Sequence, residues 1–319
     1  MATTRTSDPR AWTRASLSPS DWLVPMPAGA VDELDEVVRR LRREPLPILL
    51  LSPDLFPLTR CREVMTAVGR QLREGIGLAV IDRVPVERYS PDENRALAWI
   101  LGSLLGRLVA QKWDGTMIYD VRDTGRALGY GVRRSVTNLD LLFHTDAPWL
   151  AEPPELVGLL CLSPAVEGGV SRFVSLVTAR DELERRDPAL LRRLFEPFPW
   201  DRQAEHAPEE DKVARQPIFE QTALGLRGRY NRALVESALE LADGGLDDLG
   251  RQALGAMSEL LDSPALWVEF TIEKGQIQYL HNHLFAHSRT PFRDAEEPDR
   301  KRHLIRLWNR NEGRQTFHA

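Results

Sequence analysis

Cysteine is almost missing from this chain. Only Cys61 and Cys161 occur in 319 residues, so no disulfide framework is available and a reducing compartment fits. Long hydrophobic runs are missing too: stretches such as 45–51 and 156–162 fall far short of the roughly 20 apolar residues of a membrane helix. There is no excess of basic charge. With 42 Lys and Arg against 47 Asp and Glu, the net charge is −5, which gives no electrostatic footprint for nucleic acid. Positions 1–20 carry no apolar signal core. The expectation is a cytoplasmic protein with a small-molecule partner, no nucleic acid and no membrane. No pattern specifies an oligomeric state.

What remains is ordinary for a globular enzyme, with 42% hydrophobic and 28% charged residues. Residues 1–20, rich in Ser, Thr, Arg and Pro, are expected to fray. Residues 21–319 then form one domain, because helices bracket many short strands without repeat or linker. Val31, Leu34, Val37, Val38 and Leu41 have helical spacing, and 59–77 reads as a helix stopped by glycine. Ser90-Pro91-Asp92-Glu93 is a capping box that opens another helix. Residues 48–51, 77–86, 156–162, 170–177 and 304–308 read as strands. A helical insert is expected at about 180–262, broken near Gly244-Gly245. Within it, 201–212 is a charged loop suited to a mobile lid. Residues 267–280 read as a hairpin with Lys274-Gly275 at its turn.

The chemistry gathers around two short stretches. In Phe143-His144-Thr145-Asp146, an extended backbone projects His144 and Asp146 to one face. An imidazole and a carboxylate aimed at one point make two thirds of a facial metal site, which needs a second histidine and leaves positions open. Far downstream, His281, His283 and His287 share a face if 281–287 is one strand. On this pattern alone, any of the three completes the site.

The residues that follow carry a resemblance. His287-Ser288-Arg289-Thr290-Pro291-Phe292, then Arg302 to Trp308, resembles the C-terminal signature of the iron(II)/2-oxoglutarate dioxygenases, in the branch of taurine dioxygenase and clavaminate synthase. The likeness extends over about 78–310 and includes Gln111, 121–123, 139–149 and Gly168-Gly169-Val170-Ser171. It implies a mainly β fold with flanking helices, the double-stranded β-helix or cupin-like jelly roll. It also implies His144, Asp146 and His287 as Fe(II) ligands, and oxidative decarboxylation of 2-oxoglutarate, with O2, to succinate and CO2. That reaction is coupled to hydroxylation or related C–H oxidation of a small polar substrate, such as an amino acid or derivative. His287 is preferred over His281 and His283 because the His-x-Arg-x-x-Phe pattern follows it. By the same resemblance Arg302 holds the distal carboxylate of 2-oxoglutarate, helped by Ser171 where relatives commonly have Thr. Arginine suits that task because its planar fork binds a carboxylate bidentately. Arg306, four residues on, is expected to meet the co-substrate or an anionic group of the prime substrate. Asp140, Asn138, Gln111, Trp149, Arg229 and Tyr230 are candidates for the prime-substrate side. A zinc or manganese hydrolase on a similar barrel would want an extra acidic ligand or base near His144, and none is evident. A non-catalytic binding protein would not need ligands and arginine together.

Overall fold

The computed structural model describes residues 8–127, 129–242 and 245–318. Two sheets form its centre. Their strands, in chain order, are β1 (Leu23–Pro25), β2 (Leu78–Asp82), β3 (Tyr119–Val121), β4 (Leu141–His144), β5 (Leu156–Ser163), β6 (Ser171–Ser175), β7 (Trp267–Phe270), β8 (Ile277–His281), β9 (Phe285–Arg289) and β10 (His303–Asn309). Among the described residues the first sheet has the order β1-β2-β8-β5-β10-β3, and the second β7-β6-β9-β4. This is the double-stranded β-helix that the sequence implies.

Side-chain alternation explains why β2 and β5 of the first sheet are apolar along most of their length, on both faces. Leu78 and Val80 of β2 enter the core shared with the second sheet, beside Phe173, Phe285 and Trp308. Ala79 and Ile81 point the other way, into a layer of helices. Those helices are Ala28–Arg43, Thr59–Arg73 and Pro91–Ser103, which bring Leu34, Val37, Met65, Val68, Leu97 and Leu101 to that face. The Ser90 capping box is formed: Glu93 N donates to Ser90 Oγ at 3.3 Å, and Ser90 N to Glu93 Oε2 at 2.7 Å. The structure places Gly77 at φ 76° directly against Phe285, where a Cβ would lie 1.9 Å from the ring. Only glycine fits that approach.

Several sequence expectations change. Residues 267–280 do not form a hairpin: β7 pairs with β6 in one sheet, and β8 pairs with β2 and β5 in the other. Lys274-Gly275 carries the chain between sheets, with Gly275 N bonded to Cys161 O at 2.8 Å. Residues 281–287 are not one strand, since a turn at 282–284 separates β8 from β9. Ile48–Leu50 is a 3-10 turn, with Leu49 and Leu50 exposed, because no sheet edge reaches it. The insert after β6 holds helices Leu176–Arg186, Pro188–Leu194, Arg232–Leu241 and Asp248–Leu261, but also hairpins formed by Pro197–Asp201 with Val213–Pro217 and Phe219–Thr222 with Gly225–Gly228. The helical break falls between Leu241 and Asp248; Gly244 itself lies outside the described residues.

The frayed terminus is a further difference. Residues 1–7 lie outside the described residues, but the following segment is docked on the barrel. Trp12 is 3% exposed and stacks on Phe285 with ring centroids 5.4 Å apart. Its Nε1 donates to Ile76 O at 2.9 Å. Trp12→Ala should therefore lower the unfolding free energy by about 3 kcal/mol, read from a urea titration. A loss under about 1 kcal/mol, the size of one net hydrogen bond, would mean that the segment is not part of the folded core.

Candidate active site

The register of β9 builds the site. It runs antiparallel to β4 with His287 directly opposite His144, and to β6 with Phe173 opposite His287. Opposed residues on neighbouring strands share a face at side-chain contact distance, and the two imidazole rings lie 4.2 Å apart. Asp146 follows two residues after His144 before the chain turns at Ala147, φ 51°. His144 Nε2 lies 3.5 Å and His287 Nε2 4.0 Å from Asp146 Oδ1. Donors around one octahedral ion at about 2.1 Å stand roughly 3 Å apart. The three therefore converge, with a small closure left for an ion. Among the described residues this is the one such cluster of three.

The donor chemistry fits a ferrous ion. His144 Nδ1 faces Leu142 O at 2.9 Å, which orients the ring so that Nε2 points at Asp146 and the centre of the cluster. Burial, reinforced by His144, pushes His287 down to about 3, so this imidazole is neutral when the metal needs a lone pair. Burial alone would raise the Asp146 carboxyl. Arg306, the His144 hydrogen bond and His287 more than offset it and hold Asp146 well below the usual carboxylate range.

Asp146 is aimed by three side chains from two places, Trp308 and Arg306 on β10 and Asn282 in the 282–284 turn. Asp146 Oδ2 accepts from Trp308 Nε1 at 2.7 Å and faces Arg306 Nη1 at 3.1 Å, leaving Oδ1 to the histidines. Its backbone N donates to Asn282 Oδ1 at 2.7 Å, while Asn282 Nδ2 donates to Asp146 O and Pro154 O, each at 3.0 Å. Sequence reasoning missed the roles of Trp308 and Asn282. The only signal was their place beside the recognised motifs.

Two cavities meet at the triad. One contains His144, His287, Ser171, Gln278, Arg289, Arg302 and Arg306 in its walls. Arg302 Nη1 is buried there without a hydrogen-bond partner, and burial pulls the guanidinium down to about 10. Arg289 donates to Thr137 O at 3.1 Å and to Leu139 O; burial and Arg302 bring it to about 9. The second cavity, about 260 Å³, opens on His144, Asp146, Arg134, Trp149, Asp201, Asn231 and Arg306.

The other candidates from the sequence are placed as follows. Trp149 and Arg306 line the second cavity. Gln111 is fully buried and clamps Arg306: its Oε1 accepts from Arg306 Nε at 2.8 Å and its Nε2 donates to Arg306 O at 2.7 Å. Asp140 is exposed and pairs with Arg134 at 3.1 Å; Asn138 is exposed and accepts from Phe292 N at 3.0 Å. Neither lines a cavity of the site. Arg229 is turned away to Glu220 at 2.8 Å. Tyr230 bonds Ser258 Oγ at 2.7 Å through its hydroxyl, and its backbone N donates to Thr145 Oγ1 at 3.0 Å. Both support the metal loop from behind. His281 and His283 lie outside the cluster, as the intervening turn dictates. Asp201 and Asn231 belong to segments the sequence pointed to, the charged loop 201–212 and the run 229–232 that resembles a substrate-side segment, but neither was singled out as a site residue, because distant segments bring them to the pocket.

The fold and the triad define an iron(II)- and 2-oxoglutarate-dependent oxygenase. Residues 52–308 match the family described as taurine catabolism dioxygenase TauD, TfdA family, and the chain belongs to it. It is 29% identical to FR-33289 synthase of Streptomyces rubellomurinus over 95% of this chain and 90% of that protein. It is 25% identical to taurine hydroxylase-like protein SAT17 of Stachybotrys chartarum, covering 94% and 78%. Among solved structures, asparagine oxygenase in complex with Fe(II), 2S,3S-3-hydroxyasparagine and succinate aligns with TM-score 0.66 at 16% identity, over 91% of this chain and 94% of that one. The non-heme iron oxygenase OrfP in complex with Fe, succinate and (3S)-hydroxy-L-Arg aligns with the same score, identity and coverage. No helix among the described residues is long and apolar enough to cross a membrane.

The hydrogen bond from Trp308 gives a direct check. Trp308→Phe should weaken Fe(II) binding roughly ten- to a hundredfold, measured by metal titration under anaerobic conditions, with His281→Ala as the control that leaves it unchanged. Equal affinity in Trp308→Phe and the unaltered protein would mean that Asp146 is not positioned through Oδ2.

Proposed function

We propose that His144, Asp146 and His287 hold the Fe(II), that Arg302 and Ser171 hold 2-oxoglutarate, and that the prime substrate is a small α-amino acid or a close derivative. The observation that carries this reading is the position of the triad between a cavity with an uncompensated arginine and a second cavity whose largely apolar wall carries Asp201, Asn231 and Arg306. When bound, iron with 2-oxoglutarate and O2 supplies oxidative decarboxylation coupled to oxidation of a substrate C–H bond. The chain's own residues supply binding, orientation and exclusion of water.

Arg302 suits the distal carboxylate of 2-oxoglutarate because its buried guanidinium has no carboxylate within salt-bridge reach among the described residues, and its Nη1 has no hydrogen-bond partner. Ser171, opposite Arg289 in the β6–β9 register, adds a hydroxyl to the same cavity. On the other side, Arg306 Nη2 is buried without a partner and suits a substrate carboxylate. Asp201 faces the same cavity. It is held by Ser237 Oγ at 2.7 Å and by Gln203 N at 2.7 Å, and suits a substrate ammonium group. The loop after Asp201 closes one wall, with Glu205 paired to buried Arg133 at 2.7 Å. The relatives whose structures contain hydroxyasparagine or hydroxyarginine support the amino-acid class.

The test is a screen of amino acids and their derivatives for succinate release that depends on iron, 2-oxoglutarate and the added compound. No stimulation by any zwitterion would overturn the substrate class. With a substrate in hand, Arg302→Ala should raise the KM for 2-oxoglutarate by about a hundredfold or more, as expected for removing one partner of a buried charged pair. Asp201→Asn should instead raise the KM for the prime substrate. Exchanged effects would reverse the two cavities.

The carboxylate ligand also sets the outcome of the reaction. Asp146 fills the position that a halide would need at the metal, so products formed in the presence of chloride or bromide should show gain of oxygen or loss of two hydrogens by mass, with stoichiometric succinate. A halogenated major product would refute the assignment of Asp146.

A further inference from the structure

A third cavity, of about 330 Å³, lies beside the β8–β9 turn and shares no lining residue with the two cavities at the triad. Four arginines line it, Arg10, Arg73, Arg227 and Arg310, together with Glu152, Glu155 and Glu312. Three have carboxylate partners. Arg10 pairs with Asp8 at 2.7 Å, Arg73 with Glu155 at 2.8 Å, and Arg227 with Glu152 at 2.6 Å and Glu220 at 3.2 Å.

Arg310 differs. It is 3% exposed, and among the described residues no carboxylate lies within salt-bridge reach of it. Its Nη1 donates to two backbone carbonyls, Arg314 O at 2.9 Å and Thr316 O at 3.2 Å. Its Nε and Nη2 are buried with no partner. These two nitrogens form the edge of the guanidinium fork that grips a carboxylate or phosphate side-on. Arg227 Nε and His281 Nδ1 are also buried without partners and belong to the same wall. Burial brings Arg310 down to about 10, so it is charged at neutral pH. Burial likewise holds His281 and His283 neutral, both pulled below the usual histidine range, so the rings add hydrogen-bonding capacity without charge. A buried, charged fork with its bidentate edge unused is costly unless an anion completes it.

We propose that this cavity is a second anion site, separate from the iron centre, which takes a small oxyanion — a phosphate or carboxylate group — side-on against Arg310 Nε and Nη2. Arg227 Nε provides a further donor, and His281 Nδ1 can add another. The inference rests on this geometry and not on the reading of the iron site.

The test uses the full chain in a phosphate-free buffer without metal. Inorganic phosphate and succinate are titrated separately by calorimetry into the unaltered protein, Arg310→Gln, Arg310→Lys and Arg302→Ala. At least one anion should bind the unaltered protein, with its Kd raised about tenfold or more in Arg310→Gln through loss of the charge-assisted pair. Arg310→Lys should also weaken it, since a lysine keeps the charge but not the planar fork, and in Arg302→Ala, where the co-substrate cavity has lost its own cation, the binding that depends on Arg310 should remain. Preference for phosphate or for succinate assigns the chemical class. Should Arg310→Gln fail to fold, crystals of the unaltered protein soaked in selenate give the independent reading: an anomalous peak within hydrogen-bond distance of Arg310 Nε and Nη2. The proposal is overturned if neither anion binds, if Arg310→Gln binds as tightly as the unaltered protein, or if the selenate peak is absent from Arg310.

Discussion

The structure turns on one buried charge. The Asp146 carboxylate is 5% exposed, and a carboxylate removed from water needs compensation for both oxygens. One oxygen faces the two histidines. The other is answered by Arg306 and Trp308, both on β10 of the first sheet. The histidines belong to β4 and β9 of the second. The metal triad is therefore a seam between the sheets. Its geometry exists only once the barrel has closed, and closure of the barrel buries the charge that the seam must satisfy.

That dependence explains which features the sequence displays. His144 and Asp146 are two apart on an extended segment, so local alternation suffices to aim them together. His281, His283 and His287 have the same parity, and alternation cannot choose among them. The turn at 282–284 breaks the parity argument, sending His281 to one sheet and His287 to the other. The same crossing defeats the hairpin reading of 267–280, because an apolar alternation and a Lys-Gly turn look alike whether the second strand pairs with the first or leaves for the opposite sheet. Topology is a long-range property, and these local signals do not contain it.

The pocket residues divide along the same line. Arg302 and Arg306 were found because they sit in a recognisable motif on or beside one strand. Asp201 and Asn231 stood only at the edge of such readings, at the start of the charged loop 201–212 and beside Arg229 and Tyr230, because the insert brings them from distant segments. Gln111, Arg229 and Tyr230 were found but lie behind the pocket. Each is a polar side chain that meets a partner within the protein: Gln111 holds Arg306, Arg229 holds Glu220, and the Tyr230 hydroxyl bonds Ser258. Composition alone does not distinguish a polar group that meets a ligand from one that meets another polar group.

The two arginines of the site differ in what they have left to offer. Arg306 commits Nη1 to Asp146 and Nε to Gln111, so only Nη2 is free, and its bidentate edge is already taken. Arg302 has no such commitment, and this is the physical ground for giving it the carboxylate of the co-substrate. The asymmetry also governs how mutations at the two positions are read. On the proposed assignment, removing Arg302 takes away a contact to the co-substrate and leaves Asp146 untouched. Removing Arg306 strips the metal ligand of its compensating charge, which raises the carboxyl toward protonation and weakens the iron site before any substrate arrives. Loss of activity in Arg306→Ala is therefore evidence for substrate recognition only when iron binding, measured separately, is retained.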